Sequence, residues 1–413
     1  MASLSKNRVR SLADFLALKR STLGILAMVG LVLLGERMAE RFLPIYLLAL
    51  GGGPLVIGLL NGMDNFLSAI YSFLGGYLSD RFGTRRSLLY CNLAAMFGFC
   101  IVIFIPSWQA VIVGAVFFLS WSAISLPATM KLITEVLPLE KRTMGVSMLA
   151  LVRRIPMALG PLLGGVCIGL WGERDGVRAA FVVALFLAVC ATIIQQRYIE
   201  DTATDSEKER DRLAAERNPF KLLHYMGTDL KRLLISDILI RYCEQIPYAF
   251  VVVWCMKTIA EPVTAVQFGM LTSIEMLTAL LIYIPVAYLA DKGGKKIFVL
   301  ITFVFFTLFP LALLYCQSFA ILVPVFVLRG LKEFGEPTRK ALILDLAPEE
   351  RKAAVFGLYY MLRDMVVAVA AFGGAFLWMI DPAVNFLTAF VFGVIGTVGY
   401  ALWGKDINHL DAS

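Results

Sequence analysis

One short phrase occurs twice in this chain. Residues 76–86 read GYLSDRFGTRR and residues 287–297 read AYLADKGGKKI. Each closes an apolar run of about 20 residues, the length that crosses a bilayer. Each sets an Asp (Asp80, Asp291) ahead of a Gly (Gly83, Gly294) and a basic cluster. The spacing of 211 residues is close to half of the 413. A chain that repeats at half length, with charge at the turn between apolar runs, is constrained to a membrane protein of two like halves.

Hydrophobic residues make up 59% of the chain and charged ones 17%, against about 45–50% and about 25% in an ordinary soluble domain. The net charge of +7 falls mostly in short loops between apolar runs. That is the positive-inside pattern, and it excludes nucleic acid as the partner. The seven Cys are scattered singly, with no disulfide framework or zinc spacing. Met1–Arg20 is basic and leads straight into a long apolar run, so no cleavable signal peptide is expected.

The expected fold is an all-α integral membrane protein of twelve transmembrane helices in two pseudo-symmetric six-helix bundles. The spans lie near 22–49, 54–78, 87–105, 109–135, 144–170, 178–198, 232–256, 266–289, 297–316, 319–346, 354–380 and 385–403. Residues 1–198 form the first bundle, 199–231 a charged cytoplasmic linker and 232–413 the second bundle. Basic or mixed connections at 81–86, 140–142, 292–296 and 349–352 alternate with short, nearly uncharged ones at 51–54, 106–109, 317–320 and 381–385. The charge rule then places both termini in the cytoplasm, and the expected protein is a multi-pass monomer of the cell (inner) membrane.

The repeat continues inside the spans. Asp64 and Gly58 match Glu275 and Gly269 at an offset of 211, and Arg37 and Glu40 match Arg241 and Glu244 at 204. Pro127, Glu135, Pro138 and Arg153 match Pro337, Asp345, Pro348 and Arg363 at 210. Charged residues in register across two apolar halves indicate homologous bundles.

With these residues in place, the chain resembles the major facilitator superfamily. Gly76, Leu78, Asp80, Arg81, Gly83, Arg85 and Arg86 fit that family's G-x-L-x-D-R-x-G-R-R loop, with Thr84 departing from it. Gly160-Pro161-Leu162-Leu163-Gly164-Gly165 is similar to the G-P-x-x-G-G core of its antiporter signature, although Pro156 stands where a Gly is expected. Residues 36–42, ERMAERF, are similar to the E-x-x-E-R-F motif of proton-coupled peptide transporters. There the first Glu is one residue out of place, and Pro44 breaks the tyrosine pair that follows. The resemblance implies that Asp80 docks on the start of the eleventh span and that Arg81 or Arg85 bridges to Glu135. The mirror set is Asp291, Lys296 and Asp345, with Gly76, Gly83 and Gly294 shaping the gate loops.

An ionisable residue near the bilayer centre costs at least about 2.5–3.5 kcal/mol, so it is paired or faces water. The first span carries Glu36, Arg37, Glu40 and Arg41, and the seventh carries Arg241 and Glu244. Asp64 and Glu275 fall in the outer halves of the second and eighth spans. Lys131, Arg153 and Arg363 lie in the fourth, fifth and eleventh. Arg329, Lys332, Glu333, Glu336, Arg339 and Lys340 stripe one face of the tenth. Two uses stay open for these groups: lining a wet passage, or neutralising one another, as when Arg153 or Arg363 meets a carboxylate of the first or seventh span. The only His residues, His224 and His409, lie outside the spans, so proton coupling would fall to carboxylates.

The candidate solute-binding cations are Arg37, Arg41, Lys131, Arg153, Arg241, Lys332 and Arg363. The candidate proton sites are Glu36, Glu40, Asp64, Glu244, Glu275 and Glu336. The expected function is secondary active transport of a small anionic or zwitterionic organic solute by proton-coupled alternating access; the alternative is a proton-driven multidrug exporter. No nucleophile–base or metal-ligand constellation marks an enzyme, and no cofactor is expected.

Overall fold

The computed structural model describes residues 20–119, 121–125, 129, 139–198, 223, 226–293, 295–348 and 352–404. All regular secondary structure among them is helical. In order the helices are α1 (Arg20–Glu40), α2 (Leu43–Ala49), α3 (Pro54–Phe82), α4 (Thr84–Phe104), α5 (Trp108–Phe118) and α6 (Leu139–Tyr198). Then come α7 (Thr228–Tyr248), α8 (Ala265–Gly293), α9 (Lys296–Leu314), α10 (Phe319–Leu331), α11 (Glu336–Asp345), α12 (Lys352–Ile380) and α13 (Pro382–Trp403). Among the described residues, seven helical stretches are long and apolar enough to cross a membrane. The pair Thr228–Tyr248 and Val251–Thr258, bent by 41°, makes an eighth.

The turns follow from local chemistry. Gly51 and Gly83 sit at φ 81° and 82°, the left-handed region that a Cβ disfavours. Ser107 and Asp381 accept hydrogen bonds from the amides of Ala110 and Ala383, capping α5 and α13. Within α6, Gly172 breaks the helix at φ 78°, and Gly176 then packs on the backbone of Cys167 and Ile168. The chain therefore folds back at Gly172, inside the stretch expected to join the fifth and sixth spans. Pro156 and Pro161 are accommodated within α6, whereas Pro337 starts a helix. Pro127 and Pro138 lie outside the described residues.

The chain divides into two compact units, Met1–Leu43 with Ile70–Glu207, and Pro44–Ala69 with Lys208–Ser413. In the first, α1 packs along both arms of α6. Gly24 abuts Tyr198, Gly35 abuts Ala184, and Gly160 and Gly164 abut the backbone of Arg37 and Met38. Lipid gives helices little hydrophobic reason to associate, so small residues that admit close van der Waals contact hold them together. Gly160 and Gly164 of the G-P-x-x-G-G stretch are thus a packing seam. Rings of Phe99, Phe118 and Phe181 pack nearby with centroids 5.4–5.8 Å apart.

In the second unit α7 packs against α9, α12 and α13. Buried Asn385 donates to the carbonyls of Gly374 (2.7 Å) and Ile246 (3.3 Å), tying α13 to α12 and α7. Residues of Pro44–Ala69 join this unit through Gly58 and Gly62, which press on Ala375 and Phe372 of α12. Asn61 donates to the Gln245 carbonyl at 3.1 Å.

A side chain at Gly164 would meet the Met38 carbonyl, whereas one at Gly373 would meet nothing within 4 Å. Gly164→Leu is expected to destabilise the protein by about 1–3 kcal/mol, while Gly373→Ala leaves stability unchanged or raises it. Thermal unfolding of the purified variants in detergent checks both.

Candidate functional site

The site grows from a broken helix. α10 ends at Leu331, and α11 begins at Glu336 after four turn residues. Pro337, in the first turn of α11, lacks the N–H that a continuous helix would need, yet suits a helix start. The Gly335 amide donates to Thr302 Oγ1, and a Cβ there would strike the Phe298 carbonyl. The break thus has an external hydrogen-bond partner and a glycine-only approach. Arg329 and Lys332 stand at the carbonyl end of α10 and Glu336 at the amide end of α11, so each charge suits its helix dipole.

α7 supplies the opposing face. Asp237, Arg241 and Glu244 recur at spacings of four and three, which places them along one side of a helix. The two elements mesh in opposite sequence order. Arg339 donates to Asp237 and to Glu336 (2.7 Å). Arg241 reaches Glu336 at 3.5 Å and Glu244 at 2.6 Å. Lys332 lies 2.7 Å from Glu244 and 3.6 Å from Glu275 of α8, which also lies 3.3 Å from Arg329. From α12, Tyr359 donates to Asp237 at 3.0 Å, and Arg363 sits 3.6 Å from Asp237 and 2.7 Å from Asp364.

These groups are deeply buried: Glu275 is 0% exposed, Asp237 1%, and Arg329 and Arg339 2%. Aromatic faces cover the cations. Arg363 lies 4.3 Å from the Tyr360 ring, Arg329 5.1 Å from Phe309, and Arg241 5.4 Å from Phe306. Removing one partner of such a buried pair strands the other charge, at a cost of about 3–5 kcal/mol. The groups are therefore mutually obligatory.

In the first unit, Arg37 pairs with Glu40 at 2.6 Å. Arg153 donates to the Ser122 carbonyl at 3.4 Å and lies within electrostatic reach of Glu36 and Arg37. Glu36 is buried and Arg41 half-buried. Asp64, half-buried on α3, belongs to the other unit. Lys131, Glu135 and Gly294 lie outside the described residues.

Of the expected gate residues, Gly76 and Asp80 lie in α3 and Asp291 in α8. Exposed Arg81 covers the Phe82 ring, and Gly83 caps α4. Arg85 is engaged by the end of α6, donating to the Gln196 side chain (3.0 Å) and carbonyl (2.6 Å), while Gln195 donates to the Arg85 carbonyl (2.7 Å). Asp345 meets Lys295, one residue before the Lys296 expected there. Lys295 directly precedes α9, and its buried side chain reaches the end of α11.

Asp237, Arg329, Arg339, Tyr359 and Asp364 belong to the cluster but are not among the candidate binding or proton sites. Asp237 carries a legible signal, since it stands four residues before Arg241 on the same face. Tyr359 carries none, because a tyrosine in an apolar span looks like core. Among the described residues, no group of three His, Cys, Asp or Glu could hold a metal ion.

A chain whose described residues are helical and include many membrane-length spans is a multi-pass membrane protein. The chain belongs to the Major Facilitator Superfamily, whose model matches residues 25–259 and 238–410. It is 23% identical to an uncharacterised MFS-type transporter of Methanocaldococcus jannaschii over 88% of this chain and 89% of that one. It is also 23% identical to the multi-drug resistance efflux pump PmrA homolog of Lactococcus lactis subsp. lactis, over 78% and 80%. The fold matches a crystal structure of the nucleoside transporter NupG, solved as a point mutant, with TM-score 0.74 at 14% identity, over 94% of this chain and all of that one.

Asp237→Asn is expected to destabilise the protein by about 1–3 kcal/mol, since it removes the carboxylate shared by Arg339, Arg363 and Tyr359 while Glu336 still holds Arg339. Asp237→Asn combined with Arg339→Leu recovers part of that loss. Monodisperse yield and unfolding temperature of the single and double variants measure the coupling.

Proposed function

We propose that this transporter is a secondary carrier that moves a small anionic or zwitterionic organic solute by proton-coupled alternating access. In this reading twelve spans form two six-span bundles in the cell (inner) membrane, with both termini in the cytoplasm. One observation carries the proposal: a buried chain of ion pairs runs from Arg329 and Glu275 through Lys332, Glu244, Arg241 and Glu336 to Arg339 and Asp237.

Shared partners give that chain its switching capacity. Lys332 stands between Glu244 and Glu275, so a proton on either carboxylate releases the ammonium toward the other. Glu336 is shared in the same way by Arg241, Arg339 and Lys340. Each re-pairing changes the forces between α7, α8 and the broken α10–α11 rod, and the break at 332–335 lets the two short helices move separately. The spans contain no His, so carboxylates carry the proton.

Export of drugs by proton antiport is the second reading. It is favoured by the Gly160–Gly164 seam against α1 and by the Lactococcus relative's designation as an efflux pump. Drug resistance of a pump-deficient strain that overexpresses the protein separates the two.

In proteoliposomes with an imposed pH gradient, flux of organic acids or amino acids is expected to follow the gradient. Glu244→Gln abolishes gradient-driven accumulation while leaving counterflow of labelled solute intact. Glu40→Gln also uncouples transport while expression holds. Flux that ignores the gradient in the intact protein refutes proton coupling.

A further inference from the structure

In the second unit, Arg241, Arg329, Lys332, Arg339 and Arg363 each lie on a carboxylate. In the first unit, Arg153 differs. Among the described residues its hydrogen bond is the 3.4 Å contact from Nη2 to the Ser122 carbonyl, and its buried Nη1 finds no acceptor there. Two buried hydroxyls on the facing helical turn, Ser122 Oγ and Ser125 Oγ, also lack hydrogen-bond partners among the described residues. Ser125 is 1% exposed.

Local geometry accounts for the first hydroxyl. A helical serine usually bonds back to the carbonyl four residues earlier. For Ser122 that residue is Phe118, beyond the break at Leu119, whose ψ of 141° interrupts the helix. Ser122 and Ser125 are three residues apart in the helical stretch 121–125, so their hydroxyls share a face. Arg153 reaches that same turn. Each orphaned buried polar group costs about 1–3 kcal/mol, and a cluster of three on one side needs an explanation.

We propose that Arg153, Ser122 and Ser125 form the seat for the carboxylate of the transported solute. Two carboxylate oxygens can accept from the guanidinium edge and from both hydroxyls, which satisfies all three orphans at once. Glu36 lies within electrostatic reach of Arg153. Arg37 lies within the same reach, but its charge is engaged by Glu40, whereas Glu36 repels a doubly charged group more than a singly charged one; the seat thus favours a carboxylate over a phosphate monoester. This assignment rests on the solute being an anion or zwitterion and specifies which group holds its negative end.

The test is calorimetric binding to the full protein in nanodiscs at one pH with no gradient. Loss of proton coupling therefore leaves the result untouched. The probes are hexanoate and benzoate, with phenyl phosphate, benzamide and benzamidine as dianionic, neutral and cationic counterparts. The two carboxylates are expected to bind, phenyl phosphate more weakly, and the neutral and cationic probes not at all. Arg153→Gln weakens carboxylate binding at least about tenfold, and Arg153→Lys restores part of it. Ser122→Ala with Ser125→Ala leaves the charge in place and also weakens binding, which keeps the test valid if the arginine variants fold poorly. Three results overturn the assignment: neither carboxylate binds the intact protein, benzamide or phenyl phosphate binds as well as benzoate, or the serine double variant binds as the intact protein does.

Discussion

A charge removed from water must find an opposite charge, and much of the second unit is organised around that requirement. Apolar helices in lipid have little preference for one neighbour over another. The ionic chain supplies preference: Asp237 selects Arg339, Glu336 selects Arg241, and Glu244 selects Lys332. Because α7 and the α10–α11 rod bring these residues together in opposite sequence order, the pairs set the register of one against the other. A one-turn slip would strand several charges at once. The break at 332–335 belongs to the same arrangement, since it lets cations sit at a carbonyl end and an acid at an amide end.

The first unit is held together differently. Its regular contacts are glycine and alanine seams between α1 and the two arms of α6, and beside local ion pairs such as Arg37–Glu40 several of its polar groups form a chain of neutral hydrogen bonds. Trp121 donates to Asn92, Asn92 to Gln195, and Gln195 to the Arg85 carbonyl. Neutral partners satisfy the amides, but among the described residues Arg153 has no carboxylate acceptor. The homologous halves thus use matched positions for different chemistry. Arg363 is held by Asp237 and Asp364, while its repeat mate Arg153 retains an open guanidinium edge.

Several parts of the site are legible in the sequence. Arg241, Glu244, Glu275, Lys332, Glu336 and Arg363 stand out because charge inside an apolar run is costly and therefore conspicuous. Asp237 is easily overlooked, although its spacing from Arg241 is the signal. The roles of Arg85 and Lys295 are not legible. Both belong to basic clusters in which any of several neighbours could reach a given acceptor, and only the direction of each side chain decides between them. The closing of the chain at Gly172 and the packing use of Gly160 and Gly164 are also hidden. A glycine in a sequence shows freedom of the backbone but not which neighbour exploits it.

The amino-acid sequence by itself determined that the chain is helical, belongs in a membrane, repeats at half length and carries ionisable residues where lipid would reject them. Those conclusions rest on composition, period and spacing, which are local quantities. Tertiary structure alone decided which charge meets which, that the Lys332 ammonium is shared by two carboxylates, and that one half-buried arginine, Arg153, keeps a buried nitrogen without an acceptor among the described residues. Coulomb and hydrogen-bond energies depend on separation in space, and residues about a hundred positions apart, such as Asp237 and Arg339, acquire a separation only when the helices pack.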